Sequence, residues 1–400
     1  MEAAQPTTAD KLAIDRVLAV VPEVFALERA VDRLLLGRHE LLHAGPPLRD
    51  PCAPCLPVLH SAMVAILLEG WADTADMARD MLRNGAIDLR PAQDLGCVLP
   101  LADVLSPSMW VQVVRDAAVP RRWACSPLNG GAAHVMRVGM FDDAVLAQLR
   151  WLDREFAPAY GTALADAAIP LIPLADQGLA GGDDCHGKTV ASTAAFARLL
   201  AQRLRGDSVQ ACGAFLERSP GFFLNLWMAA SRCMLSSAAG SAHSSVVTAA
   251  AGNGQDFGIQ LAGRPGHWFT TAADAPVIPG ATEQIMQASL GAIGDSAIVD
   301  LLGLGAMTTL GNGAQAPAVF ASIWPETAQS PRRLLSARHA GFARTQARLV
   351  VRAASVMDAA TSPVISLGVL DKAGLQGRLG GGFYRAPAEL FARACAGLHP

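Results

Sequence analysis

The sequence has little of what nucleic-acid-binding proteins need. Its 400 residues carry a formal net charge of −3 and include only two tyrosines, and no basic stripe is visible. Binding to nucleic acid depends on clustered lysine and arginine side chains, and base stacking depends on exposed aromatic rings. We therefore expect no nucleic-acid partner.

Long apolar runs without turn-forming residues are also lacking. The longest uncharged run lies between Asp300 and Glu326. It is interrupted by turn-forming and polar residues, at Gly303, Gly305, Gly311, Asn312, Gly313, Gln315 and Pro317. A membrane-spanning helix rarely carries that density of turn formers, so we interpret the run as a buried glycine-rich core segment and expect no membrane span.

An export signal and a disulfide framework are missing as well. Met1 to Asp10 lacks a basic region followed by an apolar core, and eight cysteines are scattered along a large chain. This combination predicts reduced thiols in a cytoplasmic protein. Cys52 and Cys55 have CxxC spacing, but no second pair of zinc ligands follows and the neighbouring prolines do not fit a thioredoxin-like context. We expect no metal ion and no cofactor.

The length and the hydrophobic pattern predict several domains. A chain of 400 residues with a hydrophobic fraction of 52% is too long for one ordinary core. Apolar spacing predicts helices over Pro57 to Gly70, Asp142 to Ala157 and Gly221 to Gly240. We predict an α+β / α/β multidomain fold in which two mixed α/β domains flank a helical insert. The predicted divisions are an N-terminal α/β domain at 1–150, a helical segment at 151–220 and a C-terminal α/β domain with Gly-rich turns at 221–400.

Other stretches have weaker patterns. Asp10 to Leu36 has apolar residues at helical spacing, and Gln329 to Ala354 is a basic stretch that we interpret as helix-rich with a solvated face. Met109 to Val114 and Val364 to Leu370 are typical of strands. The glycines from Gly377 to Gly382 predict a turn.

One turn has more polar and glycine residues than a hairpin requires. An extended run precedes Gly252-Asn253-Gly254-Gln255-Asp256-Phe257-Gly258, and a second run follows it, so the segment predicts a β-hairpin. Asn-Gly alone would form the turn, whereas the additional glycines allow another group to approach the backbone. Both a structural hairpin and the wall of a site remain open.

A second Gly-rich turn, Gly181 to Thr189, precedes a helix predicted from Thr189 to Arg205. Free backbone N–H groups at a helix start can bind an anion. P-loop spacing can be drawn through Lys188, but acidic residues fill its interior and no strand clearly precedes it. A metal cluster or a Cys/His catalytic pair at Asp183-Asp184-Cys185-His186 is an alternative, although adjacent residues rarely point at one centre.

The third polar turn is Gly294-Asp295-Ser296, in which Asp295 or Ser296 could cap a helix. The chain has no Gly-x-Ser-x-Gly, His-Glu-x-x-His or strand-associated Gly-x-Gly-x-x-Gly motif. Composition and spacing alone thus indicate a multidomain cytosolic α/β protein with three polar, glycine-rich turns.

Several of these segments together resemble one known family. The matching pieces are His43-Ala44-Gly45-Pro46-Pro47, Glu69-Gly70-Trp71, Ser106-Pro107-Ser108-Met109, Leu128-Asn129, Gly182-Asp183-Asp184-Cys185-His186, Phe223-Leu224-Asn225-Leu226, Asn253-Gly254 with Phe257-Gly258-Ile259, Gly294-Asp295-Ser296-Ala297-Ile298, Gly303-Leu304-Gly305 and Ala316-Pro317-Ala318. In their order and spacing they resemble the YlbE-like (AllG-like) family, a domain of unknown function linked to the oxamate carbamoyltransferase complex.

The resemblance implies carbamoyl exchange between oxalurate and phosphate, which gives oxamate and carbamoyl phosphate, with companion subunits. The chain departs from the family pattern at three places. Gly252 stands where a basic residue is usual, Pro91 to Val98 replaces a His-rich segment, and Ser366 to Asp371 replaces an Asn-Thr-Gly-Ile-Ala-His-like segment. Loss of an arginine and of imidazoles would remove groups suited to anions and to proton transfer.

The resulting hypothesis is a carbamoyltransferase-like enzyme or subunit. The predicted catalytic residues are Asp184, His186, Asn253 and Asp295. The predicted substrate-binding residues are Asp183, Lys188, Asn225, Gly254, Asp256, Gly258, Gly294 and Ser296. A non-catalytic ligand-binding or scaffold subunit and a stand-alone amidohydrolase are the alternatives. Alanine-rich helices with small-residue faces also lead us to expect a homodimer.

Overall fold

The structure is a computed structural model that describes residues 5–130, 134–206, 208–308, 319, 322–327 and 333–398. Its helices are α1 (Thr8–Leu18), α2 (Ala30–Leu34), α3 (Leu56–Leu68), α4 (Ala75–Arg83), α5 (Asp143–Trp151), α6 (Ala157–Ala165), α7 (Ile172–Ala180), α8 (Val190–Ala201), α9 (Ser208–Glu217), α10 (Phe222–Ser236), α11 (Glu283–Ala288), α12 (Ala297–Leu302), α13 (Ala353–Ala359) and α14 (Ala388–Ala396). Short 3₁₀ turns occupy Ala92–Leu95, Met136–Val138, Gly305–Met307 and Pro325–Thr327, and a π turn, Leu152–Phe156, joins α5 to α6.

The strands are β1 (Pro22–Arg29), β2 (Glu40–His43), β3 (Asp88–Pro91), β4 (Val104–Leu105), β5 (Trp110–Asp116), β6 (Trp123–Pro127), β7 (Ile169–Pro170), β8 (Val247–Asn253), β9 (Asp256–Leu261), β10 (Arg264–Ala272), β11 (Ile293–Gly294), β12 (Leu335–Arg338), β13 (Arg348–Val351), β14 (Val364–Leu370) and β15 (Arg378–Arg385). The molecule therefore has a mixed α+β multidomain fold, which confirms the predicted fold class.

Two antiparallel four-stranded sheets form the framework. The N-terminal sheet has the order β6-β5-β1-β7, and the hairpin sheet has the order β10-β9-β8-β11. A three-stranded sheet, β3-β2-β4, contains a parallel pair between β2 and β3, and β12-β13 and β14-β15 are two-stranded. Several of the paired strands are far apart in the sequence. Each sheet therefore brings together loops from different parts of the chain.

Helix α10 lies at the centre of the fold. It contacts β5 and β6 of the N-terminal sheet and also β8 of the hairpin sheet. Trp227 is fully buried, with its ring stacked on Phe223 at 6.2 Å and edge-on to Phe342. A helix that is apolar on nearly all sides can only lie in a core. Its first turn is thereby held rigidly, and that turn faces the cavity described below.

The buried apolar side chains form two main clusters. The larger cluster includes residues from Ala13 to Leu370 and surrounds α10. The smaller cluster fills the space between the hairpin sheet and the helices α13 and α14, around Phe257 and Phe391. The division at residues 150 and 220 stays a prediction.

Several predicted elements are confirmed. Helices α3, α5 and α10, strands β5 and β14, and the hairpin β8-β9 all occur where the sequence indicates. Asp142 caps α5 by accepting a hydrogen bond from the Ala144 N–H. The signals were strong because apolar spacing and a cap or turn agreed at each of these places.

Two helical predictions are wrong. Within Asp10 to Leu36, residues 22–29 form β1, which lies between β5 and β7 in the N-terminal sheet. Its partners lie 81 or more residues away in the chain, so local spacing cannot indicate them, and tertiary contacts override the helical pattern. In the basic stretch, β12 and β13 pair with each other, while residues 329–332 lie outside the described part.

The glycine-rich stretch from Gly377 to Gly382, which was predicted to be a turn, is only partly a turn. Gly377 has a φ of +66°, but Arg378 to Arg385 forms β15 opposite β14. A Cβ on Gly382 would lie 2.8 Å from the Val369 side chain, so glycine is needed here for close packing within a strand.

The uncharged run after Asp300 begins with the last two residues of α12 and continues into the 3₁₀ turn Gly305–Met307, and both are buried. Its remaining turn formers from Gly311 to Pro317, and the Ala316-Pro317-Ala318 segment, lie outside the described residues. Within the described ranges, the structure contains no helix that is both long and apolar enough to cross a membrane.

The polar hairpin turn packs against backbone on both sides. Gly252 pairs with Gly294, and a Cβ built on Gly252 would lie 2.1 Å from the Ala292 carbonyl oxygen. On the other side, Asn253 donates a hydrogen bond to the Pro46 carbonyl at 3.0 Å. The additional glycines thus serve close backbone packing.

We predict that Gly252→Ala lowers the free energy of unfolding by about 2 kcal/mol or more, because the Ala292 backbone cannot move aside cheaply. The matched control is Gly213→Ala on α9, where a Cβ meets no atom within 4 Å among the described residues. The control should keep or slightly raise stability, since alanine favours helix. Urea unfolding of both variants measures the difference, and equal stabilities would contradict close packing at Gly252.

Candidate functional site

One cavity of about 710 Å³ collects most of the polar side chains that could act on a ligand. It lies where the first turn of α10, the loop before α8, the 3₁₀ turn Met136–Val138, and the strands β14 and β15 meet. Its polar lining includes Asn129, Arg137, Asp184, His186, Lys188, Asn225, Ser296, Ser366 and Arg378. A volume in this range is typical of small-molecule sites.

The loop before α8 is closed by its own hydrogen bonds. The Asp184 carboxylate accepts hydrogen bonds from the His186 and Lys188 backbone N–H groups, at 2.7 and 2.9 Å. Cys185 adopts a φ of +65°, which turns the chain back on itself. The Asp183 carboxylate points to α8 and accepts from the Ala191 and Ser192 N–H groups. The two aspartates therefore shape the loop that presents His186 to the cavity.

His186 forms a buried pair with Asp300 of α12. The imidazole Nδ1 and the Asp300 Oδ2 lie 2.5 Å apart, and both side chains are at least 95% buried. Asp300 also accepts hydrogen bonds from the Ala306 and Ser366 N–H groups. A Cβ on Gly305 would lie 2.3 Å from the Asp300 Oδ1, so only glycine fits there. With Nδ1 held by the carboxylate, Nε2 is the ring nitrogen left for chemistry.

The pair changes the protonation of the imidazole. Burial alone lowers the pKa of His186, but the charge of Asp300 and its hydrogen bond outweigh burial, and the net pKa is raised above 6.5. An imidazolium at a cavity wall can donate a proton to a leaving group and can also attract an anion.

Positive charge reaches the cavity from several elements. Arg137 comes from the 3₁₀ turn, Arg378 from the start of β15 and Lys188 from the loop before α8. Burial lowers the pKa of Arg137, Asp103 raises it, and the like charge of Arg378 lowers it further. Guanidinium and ammonium groups at one cavity are the side chains that bind carboxylate and phosphate.

A chain of hydrogen bonds through two amides forms another wall. Asn225 Nδ2 donates to Asn129 Oδ1, and Asn129 Nδ2 donates to the carboxylate of Asp103. Burial raises the pKa of Asp103 to about 7, against the opposing effects of Arg137 and Asn129. Asn129 and Asn225 line the cavity and Asp103 lies behind them, so the amides are held in fixed orientations.

These groups suit acyl or carbamoyl chemistry on an anionic substrate. Guanidinium and ammonium groups bind carboxylate or phosphate, a His–Asp pair moves a proton, and amides orient a carbonyl or an NH₂ group. Across the described ranges, no group of three or more His, Cys, Asp or Glu residues is arranged to hold a metal ion.

The structure brings together only part of the predicted site. Asp184, His186, Lys188, Asn225 and Ser296 lie on the wall of this cavity. Their chemical roles stay predictions. Asp183 lies behind the wall, where it fixes the start of α8.

The hairpin turn lies outside the cavity. Asn253 is fully buried, and its side-chain oxygen accepts from the Gln255 and Asp256 N–H groups while its amide donates to Pro46. Gly254 packs against Cys55, and Gly258 packs against Trp268. A catalytic role for Asn253 and a binding role for these glycines therefore have no support in the placement, because their surroundings are filled by protein atoms.

Asp256 belongs to a different surface feature. Its carboxylate forms an ion pair with Arg49, whose side chain is 63% exposed. The pair borders a shallow groove that also includes Trp268 and Thr270. Asp256 thus lines this groove and not the cavity, and the charge of Arg49 neutralises it.

Asp295 holds segments together. It is fully buried, and its carboxylate accepts hydrogen bonds from the N–H groups of Gly45 and Leu99 and from the amide of Gln93, at 2.7–3.0 Å. Burial raises its pKa to about 7, although those donors stabilise the ionised form. Neither Asp295 nor Gly294 lies on the cavity wall, so the predicted convergence of Asn253, His186 and Asp295 in one cleft is not found among the described residues.

Sequence reasoning missed Asn129 and Ser366 of the cavity wall and four charged residues of the site. Asp300, Arg137, Arg378 and Asp103 carry no local motif that distinguishes them from other charged residues. A buried position for Asp300 could have been inferred from its apolar neighbours in Ala297–Leu302, and a charged residue in an apolar helix usually has a partner. The arginines become visible only when the turns that carry them meet.

Two comparisons with known proteins indicate the same family. The family described as oxamate carbamoyltransferase subunit AllG matches residues 87–296. The chain is 30% identical over 375 residues to the oxamate carbamoyltransferase subunit AllG of Escherichia coli (strain K12), covering 90% of this chain and 88% of that protein. It is 29% identical over 326 residues to the uncharacterized protein YahG of the same organism, covering 79% of this chain and 67% of that one.

A solved structure shares the fold. The crystal structure of a conserved protein of unknown function from Enterococcus faecalis V583 has a TM-score of 0.88 and 24% sequence identity, and the match covers 98% of this chain and 99% of that one. At this level of identity the likeness concerns the fold alone.

We predict that Asp295→Asn lowers the free energy of unfolding by about 2–3 kcal/mol, because the amide has one acceptor where the carboxylate has two. Oδ1 accepts from Gly45 and Gln93, and Oδ2 accepts from Leu99, so the NH₂ group of the amide faces two donors in one orientation and one donor in the other. Asp73→Asn, at an exposed position, is the matched control and should change stability little. A variant with unchanged stability in urea but lost activity would instead favour a catalytic aspartate.

The raised pKa of His186 leads to a prediction about how stability depends on pH. The protonated imidazole contributes stability that is complete below pH 6.5 and is lost as the pH rises through the raised pKa. The difference in unfolding free energy between wild type and His186→Gln should therefore be larger at about pH 6 than at about pH 9. His267→Gln removes an exposed imidazole on β10 and should not reproduce that trend. A difference that is flat with pH would contradict a charged His186–Asp300 pair.

Proposed function

Given that this chain belongs to the AllG family and is related to a subunit of oxamate carbamoyltransferase, we propose that its cavity binds a carbamoyl-bearing carboxylate and takes part in carbamoyl transfer to phosphate. The single observation that carries the proposal is the meeting of Arg137, Arg378 and Lys188 with the His186–Asp300 pair at one cavity. Anion-binding groups and a proton donor are the two requirements of this chemistry.

The proposed reaction is the carbamoyl exchange that the family resemblance implies. A phosphate oxygen attacks the carbamoyl carbon of oxalurate, the bond from that carbon to the imide nitrogen breaks, and oxamate leaves as carbamoyl phosphate forms. The cations hold the phosphate and the substrate carboxylate near each other, which reduces the repulsion between two anions. The leaving nitrogen needs a proton, and the His186 imidazolium can supply it from Nε2.

The departures from the family pattern do not remove the positive charge from the cavity. Gly252 packs against the Ala292 backbone, away from the cavity, so a basic residue there would not reach it. Ser366 and Gly368 replace part of another family segment, yet both lie on the wall beside Arg378. Cations from β15 and from the turn at Arg137 therefore support anion binding by this chain.

The proposal extends to partners and location. Companion carbamoyltransferase subunits are expected because the relative is named as a subunit. A cytoplasmic location accords with free thiols at all eight cysteines, which fall within the described residues. The predicted homodimer stays a prediction.

The test is an assay of the purified chain, alone and with companion subunits, for oxamate and carbamoyl phosphate formed from oxalurate plus phosphate. Turnover by the chain alone rejects the scaffold alternative, whereas ligand binding without turnover supports it. Release of ammonia without phosphate would indicate the amidohydrolase alternative. Failure of oxalurate and oxamate to bind under any of these conditions would contradict the proposal.

We predict that Arg378→Met weakens oxamate binding at least about ten-fold, because a charge-assisted contact with the carboxylate is lost. Arg83→Met is the matched control, since Arg83 is exposed at the end of α4 and does not line the cavity. Isothermal titration calorimetry measures both. Equal affinities for the wild type and Arg378→Met would place the carboxylate elsewhere.

A further inference from the structure

We propose that Asn129 and Asn225 form a subsite that recognises the primary amide of the ligand, with one acceptor for its NH₂ group and one donor for its carbonyl oxygen. The inference rests on the proposed function and names the part of the substrate that this wall binds. Both side chains line the cavity, and both are more than nine-tenths buried.

The orientation of both amides follows from the Pro127 carbonyl, which can only accept. Asn225 Nδ2 donates to that carbonyl at 3.2 Å, and a backbone carbonyl has no proton to give. The same Nδ2 also donates to Asn129 Oδ1, so Asn129 directs its own Nδ2 to the Asp103 carboxyl group. Flipping Asn225 would set its Oδ1 against the Pro127 carbonyl, and flipping Asn129 would set its Nδ2 against Asn225 Nδ2.

These hydrogen bonds leave one acceptor on Asn225 and one donor on Asn129 for a ligand. Asn225 uses both of its N–H groups, on Pro127 and Asn129, so its Oδ1 is the only polar atom of the side chain left for a ligand. Asn129 uses its Oδ1 and one N–H, so its second N–H is left. Within the described part of the chain, neither remaining group has a protein partner.

One acceptor beside one donor is the complement of a primary amide. The ligand NH₂ donates to Asn225 Oδ1, and the ligand carbonyl accepts from Asn129 Nδ2. A carboxylate in the same place would set an oxygen against Asn225 Oδ1, and a methyl ketone would leave that oxygen unpaired. Buried polar groups left unpaired cost binding energy, so the wall selects for an amide.

The subsite lies beside positive charge. Asp103 interacts with Asn129 by a hydrogen bond and with Arg137 through its charge, and Arg137 lines the same cavity. The favoured ligand therefore carries an amide next to an anionic group. Oxamate has that arrangement, and pyruvate is its closest probe because a methyl group replaces NH₂ while the carboxylate and the net charge are kept.

The experiment measures the affinities of oxamate and pyruvate for the full chain by isothermal titration calorimetry. We expect the wild type to prefer oxamate at least about ten-fold, since a site built to hydrogen-bond an NH group rejects the analogue that lacks it. In Asn225→Leu the preference should fall to within about two-fold, because the acceptor is gone. Asn84→Leu, at an exposed position after α4, is the matched control and should keep the wild-type preference.

The outcomes separate this inference from the proposed function. Equal binding of both ligands by the wild type overturns the amide subsite while the anion-binding cavity stands, and this comparison does not depend on how a variant folds. A preference retained in a folded Asn225→Leu protein also overturns it. If neither ligand binds the wild type, the proposed function fails and the subsite fails with it.

Discussion

The placement of several distant segments depends on the buried carboxylate of Asp295. It receives hydrogen bonds from Gly45, Gln93 and Leu99, which belong to segments about 200 to 250 residues away in the chain. A buried carboxylate without such donors would be costly, so the three segments and the turn before α12 hold one another in place. The next turn of that helix carries Asp300, and through it the position of His186 is set.

This dependence explains why the cavity forms where it does. Helix α12 presents Asp300 to the loop before α8, while the buried helix α10 fixes Asn225 from the other side. The hydroxyls of Thr189 and Thr193 both donate to the Pro220 carbonyl, which joins the start of α8 to the start of α10. The polar wall is thus built on rigid helix ends, which is the arrangement that holds ligand-binding groups most accurately.

The sequence revealed the fold class, the family and the loop that holds His186, but it did not reveal which polar turn faces the cavity. The turns at Asn253 and Asp184 look alike in sequence because both combine glycine, an amide or carboxylate, and aspartate. Each side chain satisfies nearby backbone N–H groups, and only the surroundings differ. Asp300 and Arg378 were not predicted as site residues for a related reason, because the residues near them in the fold are distant in sequence. Local patterns report turns and caps, whereas a site is defined by which turns meet.

The distribution of charge is the strongest argument that the cavity is functional. Asp103 and Asp300 lie behind the wall, and each is engaged by hydrogen bonds from cavity residues, Asn129 and His186. Arg137 and Arg378 lie close enough for one to lower the pKa of the other. Cationic side chains, a His–Asp pair and two oriented amides at one cavity are together the complement of a ligand that carries both an anionic group and an amide.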